Sequence, residues 1–238
     1  MLELDGIETY RGPAQILFGV SLAVGSRESV CLVGRNGAGK TTTIDSIMGL
    51  LPVRSGKLTF EGRDIGKLPP HRRALAGIGY APEDAGIFPD LTVAENFQIC
   101  QWLARSAGRT GSVSEGETED RIFTLFPEVR ELMQRRGLHL SGGQKKMVAI
   151  ARAMALAPGV LLLDEPFEGL APVVVTRLID AVKKIKLMGI SVLIAESNLA
   201  NASRVADRLY AIDRGEIIYE GDPRRVFENE DVMKTIRG

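Results

Sequence analysis

The sequence predicts an α/β domain with a mostly parallel sheet, an antiparallel flank at its N-terminus and a helical insertion. Three observations carry this expectation. The apolar run Ser29–Val33 passes across glycines into helical spacing from Lys40 onward. Two further apolar runs, at 160–164 and 190–195, are each followed by a helical pattern. The first 24 residues alternate apolar and polar side chains, as half-buried strands do.

In chain order, LELDGIETY at 2–10 and VSLAV at 20–24 read as strands. SVCLV at 29–33 reads as a strand covered on both faces. Lys40 to Leu50 reads as a helix with Ile44, Ile47, Met48 and Leu51 on one side. Residues 57–61 and Gly77 to Ala81 suggest strands on either side of a Pro-rich connection. From about 90 to 137 the pattern is mostly helical, with the polar stretch 105–120 expected as an exposed loop. Gly142 to Leu156 is helical and is stopped by Pro158 and Gly159. The strand VLLLD at 160–164, a helix over 172–187, the strand ISVLIA at 190–195, a helix near 200–206 and the strands RLYAID and EIIYEG complete the chain. The whole of 1–238 is read as a single domain, with a helical subdomain at about 88–150.

Composition narrows the class. The 238 residues are 45% apolar and 25% charged, which fits a globular chain and neither a disordered nor a fibrous one. Formal net charge is zero, so nothing draws the chain over long range to nucleic acid or an acidic membrane. No apolar run approaches the roughly 20 residues a bilayer requires, and the first residues do not read as a signal peptide. Cys31 and Cys100 are read as small hydrophobes, and His71 and His139 stand apart without a ligand cluster.

The strongest chemical feature is Gly34-Arg35-Asn36-Gly37-Ala38-Gly39-Lys40-Thr41, followed by Thr42. It fits GxxxxGK[ST] at every fixed position and lies between an apolar strand and a helix. The glycines let successive N–H groups point inward, and the helix adds its positive end, so polyphosphate oxygens meet donors fixed in advance. Lys40 can then reach the β and γ phosphates and the Thr41 hydroxyl can ligate Mg2+, which makes Mg-ATP the expected ligand. At the end of the run 160–164 stand two adjacent acids, Asp164 and Glu165, costly to bury without cations or donors. Alternation starts them in opposite directions. Asp164 is expected to hold magnesium and Glu165 to polarise the attacking water. Leu140-Ser141-Gly142-Gly143-Gln144 opens another helix and reads as a second anion site. One small nucleotide hardly needs two such sites in one subunit, whereas a second copy of the protein could supply one across an interface.

LSGGQ at 140–144, GRNGAGKT at 34–41 and LLLDEP at 161–166 together resemble the ATP-binding cassette (ABC) family, from about Leu2 to Val226. The resemblance implies a P-loop NTPase fold of the ABC type, with an antiparallel β subdomain and an inserted helical subdomain. It also implies that two cassettes pair head to tail, each ATP lying between one P-loop and the partner's Ser141–Gln144 segment. Their closure and hydrolysis drive separate integral membrane permease subunits, placing the chain peripherally on the cytoplasmic face of the inner membrane. Within the family the chain looks most like ATPase subunits of bacterial branched-chain amino acid importers, on Tyr80-Ala81-Pro82-Glu83, Gly86-Ile87-Phe88-Pro89, Leu91-Thr92-Val93 and Glu168-Gly169-Leu170-Ala171-Pro172. Such importers carry a second, related ATPase chain and a periplasmic solute-binding protein.

By this resemblance Tyr10 matches the aromatic that stacks on adenine. Glu83 stands where a glutamine near magnesium is usual, a change common in this subfamily. Ala171 occupies a position often held by aspartate. Ser197 replaces the usual histidine at the γ phosphate, and serine cannot carry the charge. The subfamily often lacks that histidine too. The substitution nevertheless keeps open a nucleotide-binding regulatory subunit with weak hydrolysis. The ATPase of a lipid-moving complex is the other alternative, through the segment Asp164–Phe167. A soluble cassette acting on nucleic acid is disfavoured by the neutral charge. Lys145 and Lys146 read as a solvated helix surface beside LSGGQ, with approach to phosphate as the alternative, Arg152 as surface pairing or an interface or nucleotide contact, and His139 as a local cap or surface residue.

Overall fold

The computed structural model describes residues 1–106, 115–156 and 158–237. Two sheets and nine α-helices are formed by these described residues. Strands β1 (Leu2–Arg11), β2 (Ala14–Val24), β4 (Val53–Phe60) and β5 (Arg63–Asp64) build a four-stranded antiparallel sheet in the order β2-β1-β4-β5. Strands β3 (Ser29–Val33), β6 (Ile78–Ala81), β7 (Val160–Asp164), β8 (Ser191–Glu196), β9 (Arg208–Asp213) and β10 (Glu216–Gly221) form the second, ordered β10-β9-β3-β8-β7-β6. All its neighbours pair in parallel except β9 with β10.

Side-chain alternation explains why the central strands are apolar throughout. Cys31, Leu161, Leu163, Val192 and Ile194 enter one core with helices α6 (Gly142–Met154), α7 (Pro172–Leu187) and α8 (Leu199–Val205). Their neighbours Val30, Leu32, Val160, Leu162, Leu193 and Ala195 enter another, shared with helix α1 (Lys40–Met48) and the antiparallel sheet. A parallel sheet covered on both faces needs apolar residues at both parities. The carboxyl ends of β3, β7 and β8 therefore emerge side by side, where α/β sheets bind ligands.

Three local expectations change. The Pro-rich connection contains helix α2 (Pro70–Ala76), begun by Pro69 and Pro70, because proline suits the first helical turn. The stretch 105–120 is not simply a loop: α3 (Val93–Ser106) runs into it and α4 (Glu115–Leu125) starts within it, while 107–114 lie outside the described residues. Packing of Ile122 and Leu125 outweighs the polar composition of that helix. Lastly, α9 (Glu230–Arg237) follows the last expected strand and inserts Val232 and Met233 into the core. Helix α5 (Pro127–Leu132) completes the set.

Arg73 fastens α2 to the far end of α1. Its buried guanidinium donates to the carbonyls of Ser46, Ile47, Leu68 and Gly66 at 2.7–2.9 Å. A cation at a helix C-terminus is favourable, and the Ser46 carbonyl, which also accepts the Gly49 N–H at 3.3 Å, gains a second donor. Arg73→Ala is expected to lower the folding free energy by roughly 3 kcal/mol, measured by urea denaturation, with Arg73→Lys intermediate.

Candidate functional site

The segment between β3 and α1 curls around the Lys40 ammonium. Gly37 and Gly39 have φ of 82° and 116°, backbone conformations that favour glycine, and a Cβ at Gly34 would collide with the Ile212 carbonyl. Lys40 Nζ donates to Gly34 O at 2.8 Å, Arg35 O at 3.1 Å and Ser197 Oγ at 3.0 Å. It also pairs with Glu165 Oε1 at 3.0 Å, both side chains being 5% exposed. Asn36, Gly37, Gly39, Lys40, Thr41, Thr42, Glu83, Glu165 and Glu168 line one pocket of about 410 Å³ together with Arg11 and Ile16. Arg35 and Ala38 instead line a separate polar depression beside Arg214 and Lys234.

The acidic pair does not follow strand alternation. β7 ends at Asp164, and Glu165 turns with φ of 44°, a left-handed conformation that costs a non-glycine residue about 1–2 kcal/mol. That turn brings both acids to consecutive residues of α1. Thr41 Oγ1 donates to Asp164 Oδ1 at 3.3 Å, and Glu165 meets Lys40. Ser197 closes the group from the end of β8. Its N–H donates to Glu165 Oε2 at 3.0 Å, and its hydroxyl has both Glu165 Oε1 and Asn36 Oδ1 within reach, one hydrogen serving one acceptor at a time.

Asp164 is the natural cation ligand. Its Oδ2 is buried without a partner, and burial raises its carboxyl to about 6 against the Thr41 hydrogen bond, with Glu165, Glu83 and Asp45 adding to the rise. A cation would relieve that penalty. Among the described residues no cluster of three His, Cys, Asp or Glu side chains forms a cage. A few carboxylate and hydroxyl ligands completed by substrate phosphates is the usual manner of holding Mg2+. The donor set therefore fits that ion.

The second helix start is built as its residues require. Ser141 Oγ accepts from Gln144 N at 3.3 Å and Gln144 Oε1 accepts from Ser141 N at 2.9 Å, a reciprocal cap. Ser141 and Gly142 are exposed, and none of Ser141, Gly142, Gly143 and Gln144 lines the Lys40 pocket. Tyr10 does not line it either. Its hydroxyl donates to Gln15 Oε1 at 2.8 Å, and Arg54 stacks 4.8 Å from its ring centre.

Several neighbours escaped the sequence reading. Arg11 and Ile16 form a wall of the pocket, with Arg11 paired to Asp45 at 2.7 Å. Lys146 is no solvated surface residue: it is partly buried and donates to Glu165 O at 2.6 Å. Arg152 donates to Gly86 O at 2.6 Å, joining α6 to the segment after Glu83. Glu196, beside Ser197, is buried with Oε2 unpartnered. Only an acid in the otherwise apolar run ISVLIA-Glu196 could have signalled it.

A glycine-rich loop between parallel strand and helix, a buried lysine curled into that loop and an acidic strand end are the parts of a P-loop nucleotide-binding protein. The family model described as "ABC transporter" matches residues 17–168. The chain belongs to this family and is an ABC transporter ATPase subunit, which binds and hydrolyses ATP. Among its relatives, the lipopolysaccharide export system ATP-binding protein LptB of Haemophilus influenzae is 37% identical over 224 residues, 94% of this chain and 91% of that protein. The high-affinity branched-chain amino acid transport ATP-binding protein BraG of Pseudomonas aeruginosa is 33% identical over 238 residues, all of both chains. A crystal structure of the ADP conformation of an ATP-binding cassette superposes with TM-score 0.85 at 29% identity, over 100% of this chain and 98% of that one.

Burial raises the Glu196 carboxyl to about 7, helped by Glu165 and opposed by the Asn198 N–H and Lys40. The folded state therefore holds this proton more tightly than the unfolded state. The stability it contributes is complete below about pH 4.5 and is lost as pH rises through about 7. Thermal denaturation across this range should show Glu196→Gln overtaking the parent by roughly 3 kcal/mol at pH 8 while matching it near pH 4.

Proposed function

We propose that the chain is the ATP-hydrolysing subunit of a bacterial importer for amino acids or similar small polar solutes, acting through separate permease subunits on the cytoplasmic face of the inner membrane. The observation that carries this reading is the pair of departures at one site, Glu83 on the pocket wall and Ser197 on Lys40 and Glu165. By the resemblance, glutamate at the first position is common and histidine is often absent at the second in the branched-chain importer ATPases, and BraG matches end to end.

In this reading the triphosphate takes the inward N–H groups of 34–41, and Lys40 exchanges loop carbonyls and Glu165 for β and γ oxygens. Thr41 and Asp164, with Glu83 alongside, would hold Mg2+, an ion that would supply charge neutralisation at the phosphates. Tyr10 offers its ring to adenine. Freed from Lys40, the Glu165 carboxylate accepts a proton from the attacking water as its oxygen bonds the γ phosphorus and ADP leaves. Ser197 can donate one hydrogen bond to the γ phosphate but no positive charge. Because Ser141–Gln144 lie outside the pocket, a second cassette, a copy or a related chain, supplies that segment to this nucleotide. The helical subdomain at about 88–150 would meet the permease, and Phe88, Trp102 and Leu138 are exposed on it.

A second reading, the ATPase of a lipid-moving export complex, is favoured by LptB at 37% identity. No helix among the described residues is long and apolar enough to cross a membrane. Affinity capture of the tagged chain from gently solubilised native membranes separates them. Two multi-span permeases, a second cassette and a solute-binding protein are expected. Lipopolysaccharide-handling membrane partners would transfer the chain to the second reading, and exclusively soluble partners would contradict both. Glu165→Gln should retain ATP and reduce turnover roughly a hundredfold or more in a coupled phosphate-release assay.

A further inference from the structure

Lys146 crosses from α6 to the end of β7, five positions after Ser141. Its Nζ donates to the Glu165 carbonyl at 2.6 Å, and that carbonyl also accepts the Glu168 N–H at 3.3 Å. The carbonyl belongs to the residue whose φ is 44° and whose successor is Pro166. A strained non-glycine turn persists only where surrounding contacts over-determine it. Here the Glu165 N–H is held by Ala195 O at 2.9 Å, and the carbonyl by Glu168 and Lys146. The carboxylate direction follows from this turn, since unbroken strand geometry would send Asp164 and Glu165 to opposite faces. The ammonium is drawn to the site by Glu83, Glu168, Asp164 and Glu165, which oppose the lowering of its pKa by burial.

We propose that Lys146 is a positioning residue for Glu165: reaching from α6, it fixes the Glu165 carbonyl and thereby keeps the carboxylate aimed at Lys40 and Ser197. The inference rests on the reading of Glu165 as the group that polarises water. It deepens that reading by joining two functions inside one chain. Ser141–Gln144, which serve the nucleotide of the opposite cassette, begin the same helix that sets this chain's own carboxylate. A shift of α6 on engaging the opposite nucleotide would move Lys146, and the Glu165 turn with it.

The test uses the full chain with Lys146→Met, which keeps the apolar stem, and Lys146→Arg, which restores a donor. Thermal midpoints verify folding. In Lys146→Met, kcat should fall roughly ten- to a hundredfold, as for a misplaced catalytic group. ATP affinity by calorimetry should stay within about twofold, since only an interaction used in turnover is lost. Amide exchange of residues 167–169 should rise, and Lys146→Arg should recover most of kcat. Parental kcat in Lys146→Met, failure of Lys146→Arg to exceed it, a parallel loss of ATP affinity, or unchanged exchange at 167–169 would each overturn the proposal. Glu165→Gln run alongside separates the two layers. If it turns over at the parental rate, the reading of Glu165 fails and the role of Lys146 falls with it. If it stops turnover while Lys146→Met does not, only the role of Lys146 fails.

Discussion

Lys40 and Glu165 lie 3.0 Å apart with almost no exposure, and the site is arranged around the cost of placing those charges there. Either ion alone would carry a desolvation penalty of several kcal/mol. Together they need further hydrogen bonds: Lys40 donates to the Gly34 and Arg35 carbonyls, and the Ser197 N–H and hydroxyl donate to Glu165. Three segments far apart in sequence are thereby tied at the ends of β3, β7 and β8. In the proposed mechanism a triphosphate at the loop would offer Lys40 stronger anionic partners and leave Glu165 to the water, making ligand binding and the release of the carboxylate one exchange.

The same economy of buried charge explains the acids behind the pair. Asp164 and Glu196 both lie in the sheet end with one oxygen unpartnered, and burial raises both. They differ in what could relieve them. Asp164 adjoins Thr41 and the pocket, where a hydrated cation could reach it, whereas Glu196 is raised by burial and by Glu165 against the Asn198 N–H, which favours its charged form. Two carboxyls of similar burial therefore differ in whether a cation or a proton can relieve them.

What was legible in the sequence was whatever local pattern determines. The parallel strands announced themselves because burial on two faces demands apolar residues at successive positions, as in Val30–Val33 and Val160–Leu163. The loop 34–41 was legible because its glycines, lysine and threonine have fixed spacing. The start of helix α4 was not, since the polar composition of 115–120 reads as loop and only the packing of Ile122 and Leu125 further along extends the helix back through it. Nor was the Glu165 turn. A left-handed glutamate before proline has no composition signal, and the contact that holds it comes from Lys146, 19 residues away. Arg11 and Ile16 likewise become pocket residues only through the curl of the antiparallel sheet over α1. The placement of Tyr10, engaged by Gln15 and Arg54, depends on strand register that periodicity does not reveal.

The central claim is that the Lys40 cradle is the Mg-ATP site, and calorimetric titration of Mg-ATP into the parent chain and Lys40→Ala tests it most directly. The account expects saturable binding to the parent and an affinity lower by roughly tenfold or more in the variant, about 1.4 kcal/mol for each tenfold. Equal affinity in the two folded chains would contradict it, because the buried ammonium would then have no part in holding the phosphates.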